Sequence, residues 1–245
     1  MDTTYGRRMS NSTFLLVHGG HHGEWVWEPL RAELGKRGIL SRTVTLPSAV
    51  TDPDGGEPYP GMYDDARVVR EALATIDGPV IVVAHSYAGV PVTEAVAGDS
   101  NVVHVVFVAA YMLEVGESMF GTHGVPRPES LEGLRPAANP DLNLPLAFYD
   151  GDPGNPATAA AIARLVPQSV RGDFETVTRA GWREVPNSYV IPDDDISLTG
   201  TVAERLAKRA DRTYRVPGNH APFWSHPAEF ADLLAEIDGL DHAPR

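Results

Sequence analysis

A doubly wound α/β fold with a mostly parallel sheet is predicted for this 245-residue chain by three observations. Short strand-like runs recur along the sequence. Several are continuously apolar, as strands covered on both faces are. Amphipathic helical patterns lie between them, and strand alternating with helix builds a parallel sheet. With 42% hydrophobic residues, the chain can bury a sizeable core as a single domain.

The strand-like runs are Thr13–Val17, Ser41–Leu46, Val80–Val83, Val102–Val108, Ser188–Ile191 and Arg212–Val216. Met62, Ala66, Val69, Leu73 and Ile76 repeat at helical spacing, as do Phe230, Leu233, Leu234, Ile237 and Leu240. Pro47–Pro60 reads as a surface loop. From Leu113 to Pro186 no convincing strand appears, and helical patterns are short among frequent Pro and Gly. Within that interval Asn155-Pro156 has the form of an N-cap and first-turn proline, opening a helix over Ala157–Leu165. A structureless loop of this length is improbable in a compact domain. The predicted organisation is therefore a core formed by 1–112 and 187–245, with 113–186 inserted as a mostly helical cap.

Composition excludes several classes of function. There is no cysteine, hence no disulfide, thiolate metal site or cysteine nucleophile. The net charge of −13 is spread along the chain and repels nucleic acid and anionic membranes. No apolar run is long enough to span a bilayer, and Met1–Ser12 is polar and basic, without a signal-peptide core. A soluble cytoplasmic protein with a small-molecule substrate is the expectation, with a homodimer left open. The Ala-, Gly-, Asp- and Arg-rich composition is of the kind found in GC-rich bacterial genomes.

The most informative segment is Val80-Ile81-Val82-Val83-Ala84-His85-Ser86-Tyr87-Ala88-Gly89. A β-branched run ends in a serine between very small residues, and a helical pattern follows. This is the layout of a nucleophile elbow, in which a sharp strand-to-helix turn lifts one hydroxyl above the sheet edge. Ala84 and Ala88 stand at the two glycine positions of G-x-S-x-G, the mildest departure from that pattern.

An elbow serine needs a base, and the base needs a carboxylate that holds its tautomer. Two late strands end in suitable loops: one runs into Pro192-Asp193-Asp194-Asp195, the next into Pro217-Gly218-Asn219-His220. Open α/β sheets place their sites at such carboxyl ends. Taken alone, three adjacent aspartates are normally a solvated turn and a single histidine is more often structural or surface-exposed than catalytic; their order after Ser86 is what unites them.

Val17-His18-Gly19-Gly20-His21-His22-Gly23-Glu24-Trp25 supplies the early glycine-rich turn. Acyl transfer needs two N–H donors where an oxyanion develops, one from the residue after the nucleophile and one from such a loop. Tyr87 and Gly20 are the expected donors. His18, His21 and His22 lack metal-site spacing, and Asp150-Gly151-Asp152 is a turn rather than a calcium loop, so neither a metal nor another cofactor is expected.

Together these motifs resemble the α/β-hydrolase superfamily, and within it the small esterase and hydroxynitrile-lyase-like branch that includes plant methyl esterases and many bacterial hydrolases. The similarity runs from about Phe14 to Leu240 and takes in Phe148-Tyr149-Asp150, Leu165-Val166-Pro167-Gln168-Ser169 and Trp182 through Val190. The resemblance implies an α/β-hydrolase fold without its leading antiparallel hairpin. It also implies Asp195 as the acid, with Asp194 second and Glu114 a distant third. Lyases of this branch carry threonine and lysine where Gly19 and Ala221 stand here, so ester-type hydrolysis is favoured.

The expected reaction is cleavage of a small or medium-sized ester, thioester or lactone through an acyl-enzyme on Ser86, with Asp195 and His220 completing the triad. Tyr111, Met112, Phe120, Phe148, Trp182 and Phe223 are the expected substrate contacts, although packing of the cap alone explains any one of them. Two other functions fit the same residues. One is a cofactor-free lyase, cyclase or isomerase that uses His220 as a proton-transfer base. The other is a ligand-binding receptor that retains the triad.

Overall fold

The computed structural model describes residues 12–137, 147–149 and 154–241. The expectations for a leading hairpin and for the Asp150–Asp152 turn lie outside these residues.

Six strands form one sheet: β1 (Thr13–Val17), β2 (Leu40–Val44), β3 (Val80–His85), β4 (Val102–Val108), β7 (Asn187–Pro192) and β8 (Arg212–Val216). Their order is β2-β1-β3-β4-β7-β8, and all five pairings are parallel. Pairing explains where the boundaries differ from the sequence pattern. β2 stops at Val44 because its partner β1 stops at the facing Val17. β3 runs on to His85, which pairs with Val108 of β4.

Burial follows position in the sheet. Every residue of β3 and β7 is buried, whereas the edge strands β2 and β8 are largely exposed. Successive side chains of a strand point to opposite faces, so β3 sends Val80, Val82 and Ala84 into one core and Ile81 and Val83 into the other. Helices α2 (Met62–Leu73) and α3 (Gly89–Ala95) cover the first face. Helix α1 (Glu28–Lys36) covers the second, with the C-terminal helix at Pro227–Asp241 beside it. The sheet is thus wound on both sides.

The interval between β4 and β7 contains strands after all, which corrects the sequence reading. β5 (Leu134–Arg135) pairs antiparallel with β6 (Gln168–Ser169). Two residues carry no periodicity, so pairing across 30-odd positions of chain leaves no local trace. Here α4 (Pro156–Ile162) starts as expected, with the Asn155 side chain accepting the Ala157 N–H at 2.9 Å, and ends short of Leu165. Helix α5 (Val170–Phe174) follows β6 directly. Then come α6 (Gly200–Ala207), α7 (Pro222–Ser225) and α8 (Pro227–Asp241). Among the described residues no helix is long and apolar enough to cross a membrane.

Candidate active site

Backbone strain gathers at the carboxyl edge of the sheet. Among the described residues three non-glycine residues adopt positive φ: His21 (65°), Ser86 (53°) and Ala109 (44°). Each follows the end of a parallel strand, and each such conformation costs about 1–3 kcal/mol unless its surroundings hold it. At Ser86 the restraints are visible. The Tyr111 N–H donates to the Ser86 carbonyl at 3.2 Å. Ala84 and Ala88 are fully buried beneath the turn. A Cβ on Gly89 would meet the Tyr111 backbone oxygen at 2.5 Å, so only glycine lets α3 start this close to residue 111.

His220 reaches back from the far edge strand. β8 lies three strands from β3, and the loop is anchored by the His85 Nε2–H, which donates to the His220 carbonyl at 3.0 Å. The two rings lie 4.7 Å apart. Its Nδ1 bonds Asp195 Oδ2 at 2.9 Å, and both side chains are almost fully buried. Asp195 Oδ1 accepts the Ser197 N–H at 2.7 Å and the Leu198 N–H at 3.1 Å. Asp193 instead pairs with Arg215, Asp194 is exposed, and Glu114 pairs with Arg183.

Ser86 and His220 line one pocket of about 340 Å³ together with Gly20, Tyr87, Tyr111, Phe120 and Phe148. Among the described residues, neither the Ser86 hydroxyl nor His220 Nε2 makes a hydrogen bond. Three of the expected contacts are not in the lining of this pocket. Met112 is fully buried in the core of the α2/α3 face. Trp182 is in that core too, its Nε1–H bound to the Leu113 carbonyl at 2.7 Å. Phe223 lies on α7 in the opposite core, stacked on Trp27 at 4.0 Å and edge-on to His85 at 4.8 Å.

The glycine loop is held by its own histidines. His18 Nδ1–H donates to the Gly19 carbonyl at 2.8 Å, while its Nε2 accepts the Leu46 N–H at 3.0 Å. Because the Gly19–Gly20 peptide is trans, holding its oxygen on one edge presents the Gly20 N–H on the other. The Ser86–Tyr87 peptide is held in the same way by Tyr111. His22 binds the Gly20 carbonyl at 2.8 Å and the Tyr149 hydroxyl at 3.1 Å. Burial holds His18 at about 4 and His22 at about 3, so both stay neutral at pH 7. Both nitrogens of each ring are in use, which leaves no lone pair for a metal.

A buried polar chain behind the pocket was not read from the sequence. Asp65 accepts hydrogen bonds from the Ser48 N–H (3.0 Å), the Ser48 hydroxyl (2.5 Å) and the Tyr87 hydroxyl (2.5 Å). Burial nevertheless pushes its carboxyl up to about 7. Gln168 donates to Ser48 Oγ at 2.8 Å and accepts the His21 N–H at 3.2 Å. One network therefore ties down the residues on both sides of the pocket floor, Tyr87 and His21. A signal was present: Asp65 lies on the apolar stripe of Met62, Ala66 and Val69, where a carboxylate must find buried partners.

Residues 14–233, nearly the whole of this architecture, match the model of the alpha/beta hydrolase family. The chain belongs to that family. Among its relatives, this alpha/beta hydrolase is 32% identical to methylesterase 7 of Arabidopsis thaliana, with 91% of this chain and 95% of that protein covered. It is 26% identical to alpha/beta hydrolase nvfD of Aspergillus novofumigatus, over 94% and 98% of the two chains. The crystal structure of methylesterase MES16 from Arabidopsis superposes with a TM-score of 0.75 at 22% identity, covering 94% and 99%. The relatives are hydrolases and esterases, and the structural match is one of fold.

Proposed function

We propose that this alpha/beta hydrolase is a serine hydrolase that cleaves a small or medium-sized ester, thioester or lactone. The observation that carries the proposal is the 2.9 Å bond from His220 Nδ1–H to Asp195, made beside a pocket onto which the strained Ser86 opens. A base whose Nδ1 proton is held by a carboxylate keeps Nε2 free as a proton acceptor.

In the proposed reaction Ser86 Oγ attacks the substrate carbonyl and passes its proton to His220 Nε2. Asp195 stabilises the imidazolium. The Gly20 and Tyr87 N–H groups receive the oxyanion, aimed by the restraints on their own peptide planes. His220 then protonates the leaving group, and water, deprotonated by the same base, releases the acyl group. Ser86 and His220 close to hydrogen-bond distance when substrate binds, since such contacts are often long without it. Residues 113–186 act as a cap, from which Phe120 and Phe148 face the acyl or alcohol portion.

The test is labelling of the intact protein with a fluorophosphonate, followed by peptide mapping and a panel of esters, thioesters and lactones. Modification confined to Ser86, with turnover of at least one substrate class, is expected. Turnover without labelling would move the chemistry to proton transfer by His220, and ligand binding with no turnover would make the pocket a receptor site.

A further inference from the structure

The pocket wall is mostly aromatic and aliphatic, with Ser86, Ser197, His21, His123 and His220 as uncharged polar members and one cationic side chain. Arg135, on β5, is part of the lining, and no Asp, Glu or Lys shares it. A guanidinium beside an apolar cavity costs desolvation and requires a reason.

Its orientation is set from behind. Asp173, only 1% exposed, accepts from Nε and Nη2 at 2.9 Å each. Nη1 donates to His21 Nε2. That ring is a neutral acceptor, because its Nδ1–H is given to the Val166 carbonyl at 2.9 Å and burial, with Arg135 alongside, holds it at about 4. The guanidinium lies over the Phe120 ring, 5.3 Å from its centroid. Five N–H groups minus these three leave one on each terminal nitrogen, and the side chain keeps 34% of its surface exposed. His21 also follows Gly20, so the guanidinium stands one imidazole away from the proposed oxyanion donor.

We propose that Arg135 is a specificity residue that binds a planar oxygen acceptor, most tightly a carboxylate, on an otherwise apolar or aromatic ester. The proposal deepens the hydrolase reading and rests on it for the pocket's being the substrate site. A rigidly presented guanidinium with two donors unused among the described residues suits a planar acceptor, and a charged acceptor gains most from it. Asp173 balances the charge without covering those donors.

The test is calorimetric titration of the Ser86→Ala protein with three methyl benzoates that bear carboxylate, acetyl or isopropyl at the 3-position. These are nearly the same shape and differ in what they offer Arg135. The carboxylate is expected to bind about tenfold or more tightly than the isopropyl compound, with the acetyl compound between them. Arg135→Met made together with Asp173→Asn, which leaves no buried carboxylate unpaired, is expected to abolish that order. Arg135→Lys, which keeps Asp173 partnered, is expected to lose most of it and serves if the double variant does not fold.

Equal affinity for the carboxylate and isopropyl compounds, absence of binding by all three, or a preference that survives loss of the guanidinium overturns the proposal. Failure of the hydrolase reading is seen separately, as wild-type protein that no fluorophosphonate labels.

Discussion

Asp195→Asn changes one atom of a buried side chain, and the surroundings dictate how the new amide must sit. Oδ1 accepts two backbone N–H groups, from Ser197 and Leu198, while Oδ2 accepts His220 Nδ1–H. An asparagine has one oxygen, and two competing donors claim it at the Oδ1 position. Its NH2 therefore faces His220. Nδ1 must then accept, and the ring proton moves to Nε2, the atom required to take the Ser86 proton. Volume and backbone contacts are conserved, so the loss falls on chemistry: about 10⁴-fold in kcat, or about 5 kcal/mol of barrier. The assay is kcat/KM on a chromogenic ester alongside the rate of fluorophosphonate labelling, with the unfolding midpoint as control. Asp194→Asn, at the exposed neighbour, is expected to stay within about twofold, as surface substitutions usually do. Retention of more than a tenth of the activity by Asp195→Asn, or an equal loss in Asp194→Asn, would refute the tautomer argument.

Ser86→Ala should fold normally, since the hydroxyl holds no hydrogen bond among the described residues, and should lose turnover by up to about a millionfold together with all labelling; residual activity above about a hundredth would remove the acyl-enzyme. Gly19→Thr places a Cβ 2.8 Å from His85 Nδ1 and 3.0 Å from Ser86 Cβ, both on a locked elbow. A loss of about 1–3 kcal/mol is expected, read from the urea midpoint at constant slope, and an unshifted midpoint would contradict the crowding. Acid should destabilise the fold. His18, His21, His22 and His85 are held below 6.5 mainly by burial, so the unfolded chain binds more protons as pH falls from 6.5 toward 4. Their contribution is complete above pH 6.5 and is lost toward the folded values. Asp65 and Asp173, raised by burial, oppose it. Each uncompensated proton is worth about 1.4 kcal/mol per pH unit, and urea midpoints that are flat from pH 7 to pH 4.5 would exclude the imbalance.

Thr13–Val17, Val102–Val108 and Arg212–Val216 could be located from residue type and spacing because a strand's burial pattern is written in its own side chains. That Ser86, Gly20, Asp195 and His220 come together was legible for a related reason: parallel strands deliver their following loops to a common edge, so order along the chain becomes proximity in space. Asp195 could be separated from Asp194 only by family resemblance until the fold turned one of them toward His220. Arg135 had no comparable signal, and Gln168 stood only in a segment shared with the family, with no role attached. They meet through a two-residue pairing between segments distant along the chain, and nothing in either neighbourhood encodes it. The same holds for Met112, Trp182 and Phe223, whose aromatic or apolar character fits pocket and core equally well. Local periodicity specifies which face of an element is apolar. What lies against that face is settled by nonlocal packing, which exists only once the sheet and the segments above it have assembled.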